Sequence, residues 1–167
     1  MARYLVVAHQ TAGSPELIER VRSLATGDLE AAFVLLVPAT PVHHLLHTWE
    51  EVEARQLAWQ RGQEAAKTLT EAGAKIDAVR VGAPYPLDAV ADELRDHDDY
   101  AAIVLSTFPP GLSRWLKGNL PGQLHRRHRL QVIHVVASSA AQAAAGTAGT
   151  AGTAGTAGTP GGAPTAP

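Results

Sequence analysis

The residues best suited to chemistry cluster in one stretch, from Ser106 to Asn119. Ser106, Thr107 and Ser113 supply hydroxyls, and Arg114 and Lys117 supply positive charge. Gly111 closes a Pro109-Pro110-Gly111 turn, and Gly118-Asn119 stands at a helix start. A helix beginning near Asn119 offers free backbone N–H groups. Hydroxyls, cations and free amides together suit a small anion. The same residues also suit a rigid connector, with Ser113 capping a short helix and Trp115 and Leu116 filling core. His9, after the first apolar run, could act as a base or a ligand contact. It also reads as a plain loop residue. No nucleophile or partner carboxylate accompanies it, so no catalytic set is identified and no enzyme is expected.

Two other groups carry weaker signals. His43 and His47 could share a helix face as metal ligands, with His44 between them. No cysteine joins them, and Glu50 and Glu51 stand at no convincing spacing, so no metal is expected. His125-Arg126-Arg127-His128-Arg129 could contact phosphate. It is better read as a solvated last helical turn, where cations oppose the negative end of the helix dipole. No aromatic residue interleaves with it for stacking on bases.

These residues need a scaffold, and the apolar patterning supplies one. Tyr4 to Ala8, Ala31 to Val37 and Ala101 to Leu105 are short continuous apolar runs, the mark of strands buried on both faces. Lys75 to Val81 partly alternates, which suggests a strand near a sheet edge, and Leu130 to Val136 is a fifth strand. Helical patterns separate them. Ser14-Pro15 starts the first helix, with Leu17, Ile18, Val21 and Leu24 on one face and Gly27 as its close. Thr48 and Glu51 form a capping-box pattern before a long helix with Trp49, Val52, Trp59, Ala66 and Leu69 near one face, ending at Gly73. Leu87, Val90, Ala91 and Leu94 mark a third helix, and Asn119 with Pro121 opens a fourth. Strands alternating with helices predict an α/β fold with a parallel sheet and right-handed crossovers.

The formal net charge of −2 gives no global case for nucleic acid or an anionic membrane as partner. With no cysteine, disulfides and thiolate chemistry are excluded. The first apolar run is too short for a signal peptide or a membrane span, so a cytoplasmic protein is expected. Residues 138–167 form a second region, containing consecutive Ala-Gly-Thr triplets over 145–159 and no large apolar side chain. Such a tail cannot offset the entropy of ordering and is expected to be disordered.

Over residues 1–137 the chain resembles the universal stress protein family (UspA-like). The likeness is carried by Tyr100-Ala101-Ala102-Ile103-Val104-Leu105-Ser106-Thr107, Leu116-Lys117-Gly118 and Val132-Ile133-His134-Val135-Val136. It implies a doubly wound five-stranded parallel sheet of the adenine-nucleotide alpha-hydrolase-like kind, order 3-2-1-4-5. It also implies a homodimer, a stress-response role and, in one subgroup, ATP binding. That subgroup carries glycine, two residues, glycine, nine residues, glycine, then Ser or Thr. Only the last glycine matches here, at Gly118. Leu105 and Phe108 replace the first two, Asn119 replaces the hydroxyl residue, and Ala8, His9 and Gln10 fill the place of an acidic residue after the first strand.

The expected function is therefore regulatory binding of a small anionic ligand, with ATP or AMP as the nucleotides the resemblance offers. Ser106, Thr107, Gly111, Ser113, Arg114, Gly118, Asn119 and His9 would line the site, at the carboxyl ends of the first and fourth strands. The alternative is an interaction module that binds nothing small and pairs through the edge of the fifth strand.

Overall fold

The computed structural model describes residues 1–41 and 51–138. The capping box at Thr48, the His43–His47 cluster and the tail from 139 onward lie outside them.

Five strands form one parallel sheet: β1 (Arg3–Val7), β2 (Ala32–Pro38), β3 (Lys75–Gly82), β4 (Ala102–Thr107) and β5 (Gln131–Val136). Their order is β3-β2-β1-β4-β5, as expected, with every pairing parallel. The helices are α1 (Pro15–Gly27), α2 (Glu51–Glu71), α3 (Pro86–Asp96) and α4 (Leu120–His128). The strand order reverses between β1 and β4, so their carboxyl ends flank a crevice.

Alternation along the central strands divides the core. Val6, Val104, Phe33 and Leu35 pack with Leu17 and Val21 of α1 and with Ala58, Ala65 and Leu69 of α2. Leu5, Val7, Ile103 and Leu105 pack with Ala89 and Val90 of α3 and with Leu120 and Leu124 of α4. All of these side chains are buried, and each large one stabilises the fold by about 1.5–3 kcal/mol.

Local chemistry sets the helix ends. Ser14 Oγ accepts from the Leu17 amide at 3.3 Å and caps α1. Gly27 ends α1 without a left-handed turn. Asp28 caps it instead in extended conformation, φ −142°, its amide donating to the Leu24 carbonyl. Gly73 does take a positive φ of 94°, as a helix stop of this kind requires.

The packed face of α2 differs from the expectation. Ala54, Ala58, Gly62, Ala65 and Leu69 are buried, whereas Val52 is 63% and Trp59 48% exposed. The reason is distance: a Cβ added at Gly62 would lie 2.6 Å from Val79 Cγ1. So close an approach admits small side chains and leaves a tryptophan at the rim.

Candidate functional site

The site follows from the ends of β1 and β4. Val7 pairs with Leu105, so Ala8-His9 leaves the sheet beside Ser106-Thr107, the last two residues of β4, which stay paired with β5. After Phe108, Pro109-Pro110-Gly111 turns the chain, with Gly111 at φ 93°. The Leu112 and Ser113 amides both donate to the Pro109 carbonyl at 3.1 Å. A 3₁₀ turn, Arg114–Gly118, then carries the chain to α4.

These segments enclose a cavity of about 310 Å³. His9, Ser106, Thr107, Ser113 and Arg114 line it, together with Gln10, Thr11, Thr40, Pro41, Phe108, Leu112 and Trp115. Five of the eight residues singled out in the sequence thus converge. Gly111, Gly118 and Asn119 do not line the cavity. Gly111 serves the turn. Asn119, at φ 52°, accepts the Gly122 amide on Oδ1 at 3.3 Å and caps α4. The Gly118 carbonyl accepts from Gln123. The 3₁₀ turn between strand and helix holds the start of α4 away from the cavity, so the expected cradle of helix amides is not part of it. Phe108, only 7% exposed, forms wall where a glycine would open the backbone to a ligand.

The polar groups fall into two sets. Some are committed within the protein. Thr107 Oγ1 donates to the Phe108 carbonyl at 2.9 Å, so His134 Nε2, 2.8 Å away, must be the donor to that oxygen. Thr40 Oγ1 donates to the Pro84 carbonyl at 2.9 Å. Others are open. Ser106 Oγ is buried with no hydrogen-bond partner among the described residues, and so is His9 Nε2. Arg114 is solvent-exposed at the cavity and has no ion pair among the described residues.

His9 is the residue whose environment sequence reasoning underestimated. It is 5% exposed, and its Nδ1 lies 3.3 Å from the Arg61 guanidinium of α2. Burial first, and then the nearby Arg61 charge, push its pKa down to about 4. The ring is therefore neutral at pH 7. Nothing local in the sequence announces Arg61, which stands 52 residues from its partner. Thr40 and Pro41 were more accessible to inference, because they follow β2 at the same end of the sheet.

Among the described residues no acidic side chain lines the cavity, and no group of three or more His, Asp or Glu able to hold a metal occurs. The lining offers the Arg114 charge and hydroxyl groups that can accept, and among the described residues no lining hydroxyl donates a hydrogen bond to a base.

No family model matches the sequence, and no curated protein does. Solved structures do. A universal stress protein in complex with cAMP is 24% identical, with a TM-score of 0.53 over 82% of this chain and 98% of that one. A universal stress protein from Archaeoglobus fulgidus is 14% identical, with a TM-score of 0.57 over 81% and 93%. The universal stress protein from Archaeoglobus fulgidus in complex with dAMP is also 14% identical, with a TM-score of 0.54 over 81% and 97%. The chain therefore has the α/β fold of the universal stress proteins, five parallel strands in the order 3-2-1-4-5. At these identities the likeness is one of fold. Among the described residues no helix is long and apolar enough to cross a membrane.

Proposed function

We propose that this chain is a regulatory protein of the stress-response type that binds a small anionic ligand, with a nucleotide as the favoured class. The observation that carries the reading is the cavity at the carboxyl ends of β1 and β4, where Ser106, Ser113 and His9 meet the free charge of Arg114. Crevices at this position in open α/β sheets are where ligands bind. Two structures of the same fold hold cAMP and dAMP, which supports a nucleotide over other anions. The lack, among the described residues, of a lining hydroxyl that donates to a base favours binding over catalysis. Arg114 takes the anionic group, and the buried groups take the other end of the ligand.

The test is a thermal-shift titration with ATP and AMP on the wild type and on Arg114→Ala. A saturable rise in Tm that Arg114→Ala removes is the expected result. No shift with either nucleotide, on folded protein, counts against the nucleotide reading.

A second reading rests on the edge of β5. Among the described residues that strand pairs only with β4, and Val136 at its end is 42% exposed. An open edge of this kind suits pairing with a second copy. Sedimentation of the wild type and of Val136→Lys distinguishes a dimer through this edge from a monomer.

A further inference from the structure

We propose that His9 sets the ligand preference of the cavity by presenting a fixed hydrogen-bond donor, so that the cavity favours a keto base over an amino base. This rests on the nucleotide reading above.

The argument begins with Arg61. A guanidinium has donors only and keeps its proton throughout the accessible pH range. Its contact with His9 Nδ1, at 3.3 Å, therefore requires a lone pair on Nδ1. A neutral imidazole with a lone pair on Nδ1 carries its proton on Nε2. That Nε2 is buried, and no protein group among the described residues accepts from it. The ring belongs to the cavity lining and is more than nine-tenths buried. An unmatched buried donor disfavours any ligand that brings a second donor to it and favours one that brings an acceptor.

Among the described residues the lining holds no carboxylate to accept from an exocyclic amino group. The Thr107 and Thr40 hydroxyls have given their protons to backbone carbonyls and can only accept, so the donor bias rests on His9. Ser106 Oγ is the other buried atom of the lining without a partner among the described residues, and its hydroxyl can donate as well as accept. Burial keeps the His9 ring neutral, which preserves the single tautomer on which the preference depends.

The experiment compares IMP with AMP, which carry an oxo and an amino group at the same purine carbon. Calorimetric titrations use the wild type and Arg61→Met, in which neither imidazole tautomer is imposed. Long-range nitrogen–proton NMR of the wild-type imidazoles, with His9 assigned from the spectrum of His9→Gln, reads the tautomer with no ligand present. The expected results are an Nε2–H tautomer, IMP bound about tenfold more tightly than AMP, and a loss of that ratio in Arg61→Met. Equal binding, or tighter AMP binding, overturns this inference and leaves the nucleotide reading standing. An Nδ1–H tautomer overturns it whatever binds, and needs no variant to fold beyond the one used for assignment. No saturable response to either nucleotide overturns both readings.

Discussion

The two ends of the sheet treat their polar groups in opposite ways. At the amino end they are spent on one another. Arg3 at the start of β1 holds both oxygens of Asp99, at 2.7 and 2.8 Å, and lies 5.1 Å above the Tyr100 ring. Tyr100 donates to the buried Glu93 at 2.6 Å, and Arg80 reaches the same carboxylate at 3.4 Å. Arg3 holds the Asp99 carboxyl below its usual range, and burial followed by the Glu93 contact raises the Tyr100 hydroxyl above its own. At the carboxyl end, His9 Nε2 and Ser106 Oγ are buried without partners among the described residues, beside an exposed Arg114. An unpaired buried polar group costs about 1–3 kcal/mol. Arg3 Nε and Arg80 Nε also lack a hydrogen bond, but each faces a carboxylate, Asp77 at 3.9 Å and Glu93 at 3.4 Å. His9 Nε2 and Ser106 Oγ face no such charge and belong to residues that line one cavity, the pattern of a site shaped for a ligand rather than for stability.

The contrast can be broken from either side. The largest effect is expected from Glu93→Leu, which leaves Arg80 and the Tyr100 hydroxyl without their partner. A loss of about 3 kcal/mol in urea unfolding is the expected result, while ligand affinity of the folded fraction is unchanged. A comparable loss of affinity would mean that the two ends are not separate.

Acid gives the next largest effect. His9 titrates near 4 in the folded chain and near its ordinary 6.5 when unfolded. Between those values the unfolded state binds more protons, so stability rises with pH across the window. It is fully present above about 6.5 and falls, by up to about 3 kcal/mol, as pH drops to about 4. Burial lowers His134 and His128 in the same direction. His9→Gln should therefore flatten the unfolding free energy against pH without levelling it.

The smallest effects fall at the cavity. Ser106→Ala removes a buried hydroxyl that has no partner, and it should leave stability unchanged or raise it by about 1 kcal/mol. Arg114→Ala, at an exposed position, should stay within about 0.5 kcal/mol. Both should weaken ligand binding. A cavity built for stability would show the reverse, with clear losses on denaturation and no change in binding.

The fold was largely legible because its signals are local. Continuous runs such as Val104-Leu105 can be satisfied only by strands covered on both faces, and the alternation of strands and helices leaves few topologies. The small-residue face of α2 was not legible. Trp59 and Val52 look like core by hydropathy, and only the approach of Gly62 to Val79 decides against them. The site was half legible. Ser106, Thr107, Ser113 and Arg114 sit on one continuous stretch, and strand order brings His9 beside them. Gly118 and Asn119 looked like an anion cradle because motif spacing does not reveal the 3₁₀ turn that displaces them. Arg61 could not be inferred at all, since its contact with His9 exists only once α2 has packed on the sheet.

The most direct test is amide chemical-shift mapping during titration with AMP and IMP. Binding at the carboxyl ends of β1 and β4 predicts that the perturbed amides gather at His9, Ser106, Ser113 and Arg114, with Arg3, Asp99 and Tyr100 unmoved. Saturable perturbations confined to the edge of β5 or to the amino end, with those four residues silent, would contradict it.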